Sequence, residues 1–242
     1  GAGLVFVEAT AVQRNGRITH GDVGLWSDEH IAPHARIAHF IADHGAIPTL
    51  QLAHSGRKGG MQRPWFGNAA ITEDDIARGD IPWQPVGASP IPVAEDWPVP
   101  HPLTIAEIAD LVDDFAAAAR RALRAGYQAV EVHGAHGYLI QSFLSPIGNA
   151  RTDAYGGDLK RRMRLALEVT EAVRGVWPDE LPLFFRVSSV DDVEGGWTMD
   201  DTVVLARELK ALGVDVIDCS SGGIGGSATA VRIKRTPGFQ VA

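Results

Sequence analysis

The residues best suited to chemistry are concentrated in His133-Gly134-Ala135-His136-Gly137-Tyr138, directly after the largely apolar run Ala129-Val130-Glu131-Val132. Two imidazoles three residues apart can aim N–H donors at one ligand oxygen, and a phenol two residues further on can hold a transferable proton. The same His-x-x-His spacing also suits metal ligation or a purely structural pair. Three more polar positions close apolar runs: Glu8-Ala9 after Leu4-Val5-Phe6-Val7, Gln51 after Ile47-Pro48-Thr49-Leu50, and Arg186 after Leu183-Phe184-Phe185. Taken singly, the arginine reads as an ion-pair partner and the glutamine as a loop hydrogen-bonder. Their shared position at the ends of β-rich runs is what points to a site.

The elements that must position these residues are strands and helices in alternation. Five runs, near Leu4–Glu8, Ile47–Gln51, Ala129–Val132, Leu183–Val187 and Val214–Asp218, read as strands with both faces buried. Thr104 with Glu107 makes a capping box, after which Ile105, Ile108, Leu111, Phe115, Ala119 and Ala122 form an apolar stripe that ends at Gly126. Ser27 caps a helix to about His44, another covers Leu159–Val176, and Thr198 with Asp201 opens one reaching Leu212. Repeated strand–helix units make a parallel sheet or barrel. In a barrel, sites form at the C-terminal ends of the strands, where Glu8-Ala9, Gln51, His133 and Arg186 all fall. The chain reads as one domain over 1–242, interrupted by a proline-rich excursion over 55–101 that carries Trp65, Trp83 and Trp97. That excursion either covers the mouth of the site or is a packed loop anchored by its tryptophans.

Composition narrows the function classes. With 45% hydrophobic and 21% charged residues the chain is globular in character, and 22 basic against 30 acidic residues give a net charge of -8. That charge argues against a general nucleic-acid or anionic-membrane surface. No apolar run reaches the length of a membrane span, so the expected compartment is the cytoplasm. The one cysteine, Cys219, cannot form an internal disulfide or hold an iron–sulfur cluster, and at the end of an apolar strand it is expected to be buried filler.

The motif continues through Gln141-Ser142-Phe143-Leu144-Ser145-Pro146 to Asn149-Ala150-Arg151-Thr152-Asp153-Ala154-Tyr155-Gly156-Gly157, and others stand at Glu8–Val12, Gln51–Lys58, Phe185–Ser188 and Lys234–Phe239. Together they resemble the old yellow enzyme family of FMN-dependent ene-reductases, in its bacterial thermophilic-like branch. The resemblance implies an α/β fold, the TIM (β/α)8 barrel, with about strands 2 to 6 of the family barrel present. The chain opens on glycine and stops soon after a turn, so both ends read as unfinished.

The resemblance further implies FMN across the barrel mouth, reduced by NADPH or NADH, and a small-molecule enone or enal as substrate. Ala9, Gln51 and Arg186 would contact the flavin. His133, Gly134, Ala135 and His136 would bind the substrate, with His133 and His136 polarising its carbonyl and Tyr138 supplying a proton. Lys58 is a further substrate-binding candidate, a surface position being its other reading. Arg151, Asp153, Tyr155, Gly156 and Gly157 are expected to form a structural turn, and Arg232, Lys234 and Arg235 are left without a role. Missing outer strands would expose two sheet edges, a liability unless a partner or the missing segments cover them, and a homo-oligomer is expected. Two rivals stay open here: a non-catalytic barrel fragment serving as a binding or assembly module, and a metallohydrolase using the two histidines.

Overall fold

The computed structural model describes residues 1–225, so the Lys234–Phe239 motif and the cluster Arg232, Lys234 and Arg235 lie outside the described residues. Five strands form one wholly parallel sheet: β1 (Leu4–Ala11), β2 (Ile47–Ala53), β5 (Ala129–Gly134), β6 (Leu183–Ser188) and β7 (Val216–Ser220), in that spatial order. Between them run α1 (Ile31–Asp43), α2 (Glu73–Ala77), α3 (Ile105–Arg124), α4 (Leu139–Leu144), α5 (Leu159–Arg174) and α6 (Met199–Ala211). Neighbours in the sheet follow chain order, apart from β3 (Val86–Gly87) and β4 (His101–Pro102), which pair with each other inside the excursion. This is the strand–helix repeat of an α/β barrel.

The helices begin where capping chemistry places them. Ser27 accepts a hydrogen bond from the Glu29 N–H and opens a short turn that runs into α1, while Thr104/Glu107 and Thr198/Asp201 form reciprocal boxes at the starts of α3 and α6. On α3, Ile108, Leu111, Phe115, Ala119 and Ala122 are buried, and burying a side chain the size of Leu or Phe stabilises the fold by about 1.5–3 kcal/mol. Ile105 does not join that stripe. It is 56% exposed in the first turn, ahead of the point where α3 meets the sheet.

The strands depart from expectation in an instructive way. β1, β2, β5 and β6 run on past the ends of their apolar stretches, and β7 spans Val216–Ser220 rather than Val214–Asp218. Residue type alternates along them, but burial does not: β2 beyond Ile47 and all of β5 are buried on both faces, as expected. Leu50, Leu52, Val130, Val132, Phe185 and Val187 join the core shared with the helices. The alternate positions carry Gln51, Glu131, His133, Arg186 and Asp218, and the ladder continues through them because backbone pairing does not require apolar side chains. Cys219, expected as buried filler, is exposed: it lies on the last described strand, where no following helix among the described residues covers it.

The excursion is tied down by an arginine. Arg151 Nη1 donates to the carbonyls of Ala88 (3.0 Å) and Leu103 (2.6 Å), while Nε and Nη2 engage both carboxylate oxygens of Asp153 at 3.0 and 2.5 Å. Gly156 is required beside it, since a Cβ there would lie 2.3 Å from the Arg151 carbonyl oxygen. The expected turn is thus also a clasp for the segment flanking β3 and β4. Trp83 anchors as well, its Nε1 donating to Asn15 O at 2.9 Å with the Arg17 guanidinium 4.8 Å over its ring. Trp65 is 70% exposed, its ring edge-on to that of the neighbouring Phe66.

Arg151→Met should leave the partly exposed Asp153 without its cation and two carbonyls without donors, costing about 1–3 kcal/mol. Urea denaturation would read the loss, and limited proteolysis should show new cleavage between Ser89 and Pro100. A parent-like midpoint would mean the clasp is redundant.

Candidate active site

In parallel pairing, partners in register stand side by side, and here the register assembles the polar side chains into one array. Gln51 pairs with Glu131, His133 with Arg186, Arg186 with Asp218, and Ser188 with Ser220. Gln51 Nε2 donates to Glu131 Oε1 at 2.6 Å, which leaves the amide oxygen of Gln51 as an acceptor. Arg186 Nε lies 3.2 Å from Asp218 Oδ2. Opposite Gln51 the β1–β2 register slips: Val7 pairs with Leu50 and Thr10 with Leu52, so Glu8 and Ala9 together face one residue. This bulge releases backbone polar groups at Ala9 from the ladder.

The three proton-handling rings form a single cluster above this array. His133 and His136 lie 5.2 Å apart, His133 and Tyr138 5.1 Å, and His136 and Tyr138 6.4 Å, all nearly perpendicular. His133 Nδ1 accepts a hydrogen bond from the Ala135 N–H at 3.2 Å. A backbone amide can only donate, so the neutral ring carries its proton on Nε2. Burial, with His136, Arg186 and Lys58 as neighbouring positive charges, holds the His133 pKa well below the usual histidine range. The same burial and the Arg186 and Lys58 charges bring His136 down to about 4, and burial pushes Tyr138 up to about 12. At neutral pH the cluster therefore consists of two neutral imidazoles and a protonated phenol.

Gly134 and Ala135 add no side chain to the mouth. A Cβ on Gly134 would lie 2.4 Å from the Phe185 ring, and Ala135 is buried and acts through its N–H. The loop then turns through the left-handed region at His136 (φ 61°) and Gly137 (φ 72°). It is held there by the loop after β7: a Cβ on Gly137 would lie 2.1 Å from Gly223 O, and one on Gly223 2.6 Å from the His136 backbone. The His136 N–H donates to Ser188 Oγ (3.0 Å), which itself donates to Gly222 O (2.9 Å). Lys58 is not a surface lysine. Buried, it donates from Nζ to His136 O at 2.8 Å and to Gly223 O, 5.6 Å from the centre of the Tyr138 ring.

Four residues of this constellation were not singled out from the sequence as site residues: Glu131, Ser188, Asp218 and Ser220. Each lies two residues along a strand from another member of the array, so the period of two was the available signal. Among the described residues no group of three or more His, Cys, Asp or Glu side chains is gathered to hold a metal ion. No helix of the described residues is long and apolar enough to cross a membrane.

Glu131 is 1% exposed, its Oε2 has no hydrogen-bond partner among the described residues, and its pKa is raised to about 7, chiefly by burial and also by Asp218, against the opposing pull of Gln51 and Arg186. The unfolded chain releases this proton near the ordinary value of 4.5 and the folded chain near 7, so its contribution is favourable below about 4.5 and is lost as pH rises to 7. Glu131→Gln should abolish that dependence. Its stability relative to the parent should improve by roughly 3 kcal/mol between pH 4.5 and pH 7, as read by urea midpoints across that range. Parallel pH profiles would show that folding does not raise the Glu131 pKa.

Comparison with known proteins identifies the family. The profile of the NADH:flavin oxidoreductase / NADH oxidase family matches residues 1–238. An NADH:flavin oxidoreductase of Gibberella zeae is 41% identical over 254 residues, covering all of this chain and 60% of the relative. An NADPH dehydrogenase of Geobacillus is 42% identical over 239 residues, covering 99% of this chain and 63% of the relative. The chain thus spans about three fifths of the length of these relatives. Among solved structures, the old yellow enzyme homologue from Zymomonas mobilis superimposes with a TM-score of 0.75 at 28% identity, over 93% of this chain and 61% of the other. A 2-naphthoyl-CoA reductase complex gives 0.78 at 28% identity, over 90% of this chain and 33% of the other. The chain belongs to the NADH:flavin oxidoreductase / NADH oxidase family, the FMN-binding, NAD(P)H-using family of old yellow enzyme.

Proposed function

We propose that this chain carries the catalytic face of an FMN- and NAD(P)H-dependent reductase acting on the C=C bond of α,β-unsaturated carbonyl compounds. The observation that carries this reading is the cluster of two neutral imidazoles and a protonated phenol beside a fixed guanidinium. The residues below the cluster suit a flavin. The Gln51 amide oxygen can accept from the pyrimidine N–H of an isoalloxazine ring, the bulge at Ala9 offers unpaired backbone groups, and Arg186 offers a cation to the N1/C2=O edge. FMN, when bound, supplies hydride to the alkene β-carbon.

The remaining steps belong to the protein. Neutral imidazoles cannot act as strong acids, and donate hydrogen bonds instead. His133 and His136 hold the carbonyl oxygen, drawing electron density from the β-carbon and stabilising the negative charge that gathers on oxygen as hydride arrives. Tyr138 retains its proton at neutral pH and gives it to the α-carbon, completing addition of H⁻ and H⁺ across the double bond. Lys58 serves this set from behind: its ammonium is committed to two loop carbonyls and holds the His136 backbone in place.

Replacing both His133 and His136 by alanine in the flavin-loaded protein should weaken phenolate ligands, which mimic the enolate oxygen. The loss expected is about a hundredfold or more, from hydrogen bonds of roughly 1.5–3 kcal/mol each to a charged oxygen. Titration with a phenol, followed by its long-wavelength charge-transfer band, would read it, and unchanged affinity would remove the pair from the oxyanion role.

Tyr138→Phe should keep phenol affinity within a few-fold yet slow reoxidation of reduced flavin by an enone by about 10²–10⁴-fold. Stopped-flow measurement separates that half-reaction from reduction by NAD(P)H. An unimpaired rate would assign the proton to another donor.

A further inference from the structure

The two imidazoles differ in what sets their protons. At His133 a backbone N–H occupies Nδ1 and leaves no choice of tautomer. At His136 the ring partner is a hydroxyl: Nε2 lies 2.5 Å from Ser220 Oγ, and a hydroxyl can donate or accept. The surroundings decide between these. Were His136 to carry its proton on Nε2, the hydroxyl hydrogen of the partly buried Ser220 would be left to solvent, since Ser220 Oγ has no second hydrogen-bond partner among the described residues. The neighbouring hydroxyl, Ser188, is already occupied, accepting from the His136 N–H and donating to Gly222 O. Double protonation is opposed by burial and by the Arg186 and Lys58 charges.

We propose that Ser220 is a positioning residue whose hydroxyl donates to His136 Nε2 and fixes this ring as the Nδ1–H tautomer. The two imidazoles then hold opposite tautomers, His133 with its proton on Nε2 and His136 with its proton on Nδ1. Rings 5.2 Å apart and nearly perpendicular can in this way direct two N–H groups toward one oxygen without either ring being charged. The use of that oxygen rests on the ene-reductase reading, whereas the tautomer itself does not.

The test uses the full 242-residue chain, labelled with ¹⁵N-histidine, in long-range ¹H–¹⁵N correlation spectra near neutral pH without ligand. His136 is assigned by loss of its signals in His136→Gln. The expected result is a protonated, pyrrole-type Nδ1 and a bare, pyridine-type Nε2 at His136, with the reverse at His133. In Ser220→Ala the His136 pattern should move toward Nε2–H or an average of both tautomers, and in Ser220→Thr it should return to that of the parent. A parent His136 with its proton on Nε2 overturns the proposal, as does a pattern unchanged in Ser220→Ala. If Ser220→Ala fails to fold, Ser220→Cys, a much weaker donor, replaces it under the same criterion. In the flavin-loaded protein Ser220→Ala should also lose about tenfold or more in phenolate affinity, through one misdirected hydrogen bond to a charged oxygen. Correct tautomers combined with no reduction of any enone would sink the ene-reductase reading and leave this one standing.

Discussion

The Lys58 ammonium, buried between the carbonyls of His136 and Gly223, ties together loops that follow three different strands. Burying a cation is unfavourable unless its hydrogens find partners, and the downward pull on its pKa, to about 8, reflects burial first and the adjacent Arg57 second. Arg57 extends the same staple: Nη1 donates to Ile91 O in the excursion and Nη2 to Ile224 O beyond β7. Two consecutive cations in one short turn therefore hold the rim. They add to the Ser188 hydrogen bond and the Gly223 contact in holding the His136 loop in a left-handed conformation that a non-glycine residue adopts only at a cost.

Beneath the rim the sheet is used as a printed surface. Parallel register fixes which side chains are neighbours, so placing Gln51, Glu131, His133, Arg186 and Asp218 on alternate positions of adjacent strands is enough to assemble the array. The cost of so many polar groups is offset in part locally, by the Gln51–Glu131 hydrogen bond and the Arg186–Asp218 pair, while apolar residues at intervening positions pack against the helices. One sheet thus carries a core on one side and chemistry on the other.

Much of this was legible in the residues. Helix starts could be read from Ser27, Thr104 and Thr198 because capping is local chemistry, and the five strands from apolar runs because burial leaves a compositional mark. What escaped was whatever depends on pairing between distant segments. The strand ends were set too early because polar residues were read as termini, although the ladder passes through them. The bulge at Glu8 and Ala9 exists only relative to Gln51, and Ser188 and Ser220 acquire a purpose only once β6 and β7 stand side by side. Lys58 looks like any charged residue until the loop after β7 closes over it.

The contact between Gly137 and Gly223 has a mechanical meaning. The two loops touch backbone to backbone, with no side chain between them to change rotamer and absorb a displacement. The described loop after β7, at Gly222 and Gly223, is therefore in direct backbone contact with the loop that carries the His136 imidazole. The excursion is bound into the same frame at its start, through Arg57 and Lys58, so a change of length or shape there reaches the reacting groups through those two side chains, whereas the exposed stretch around Trp65 lies apart from them.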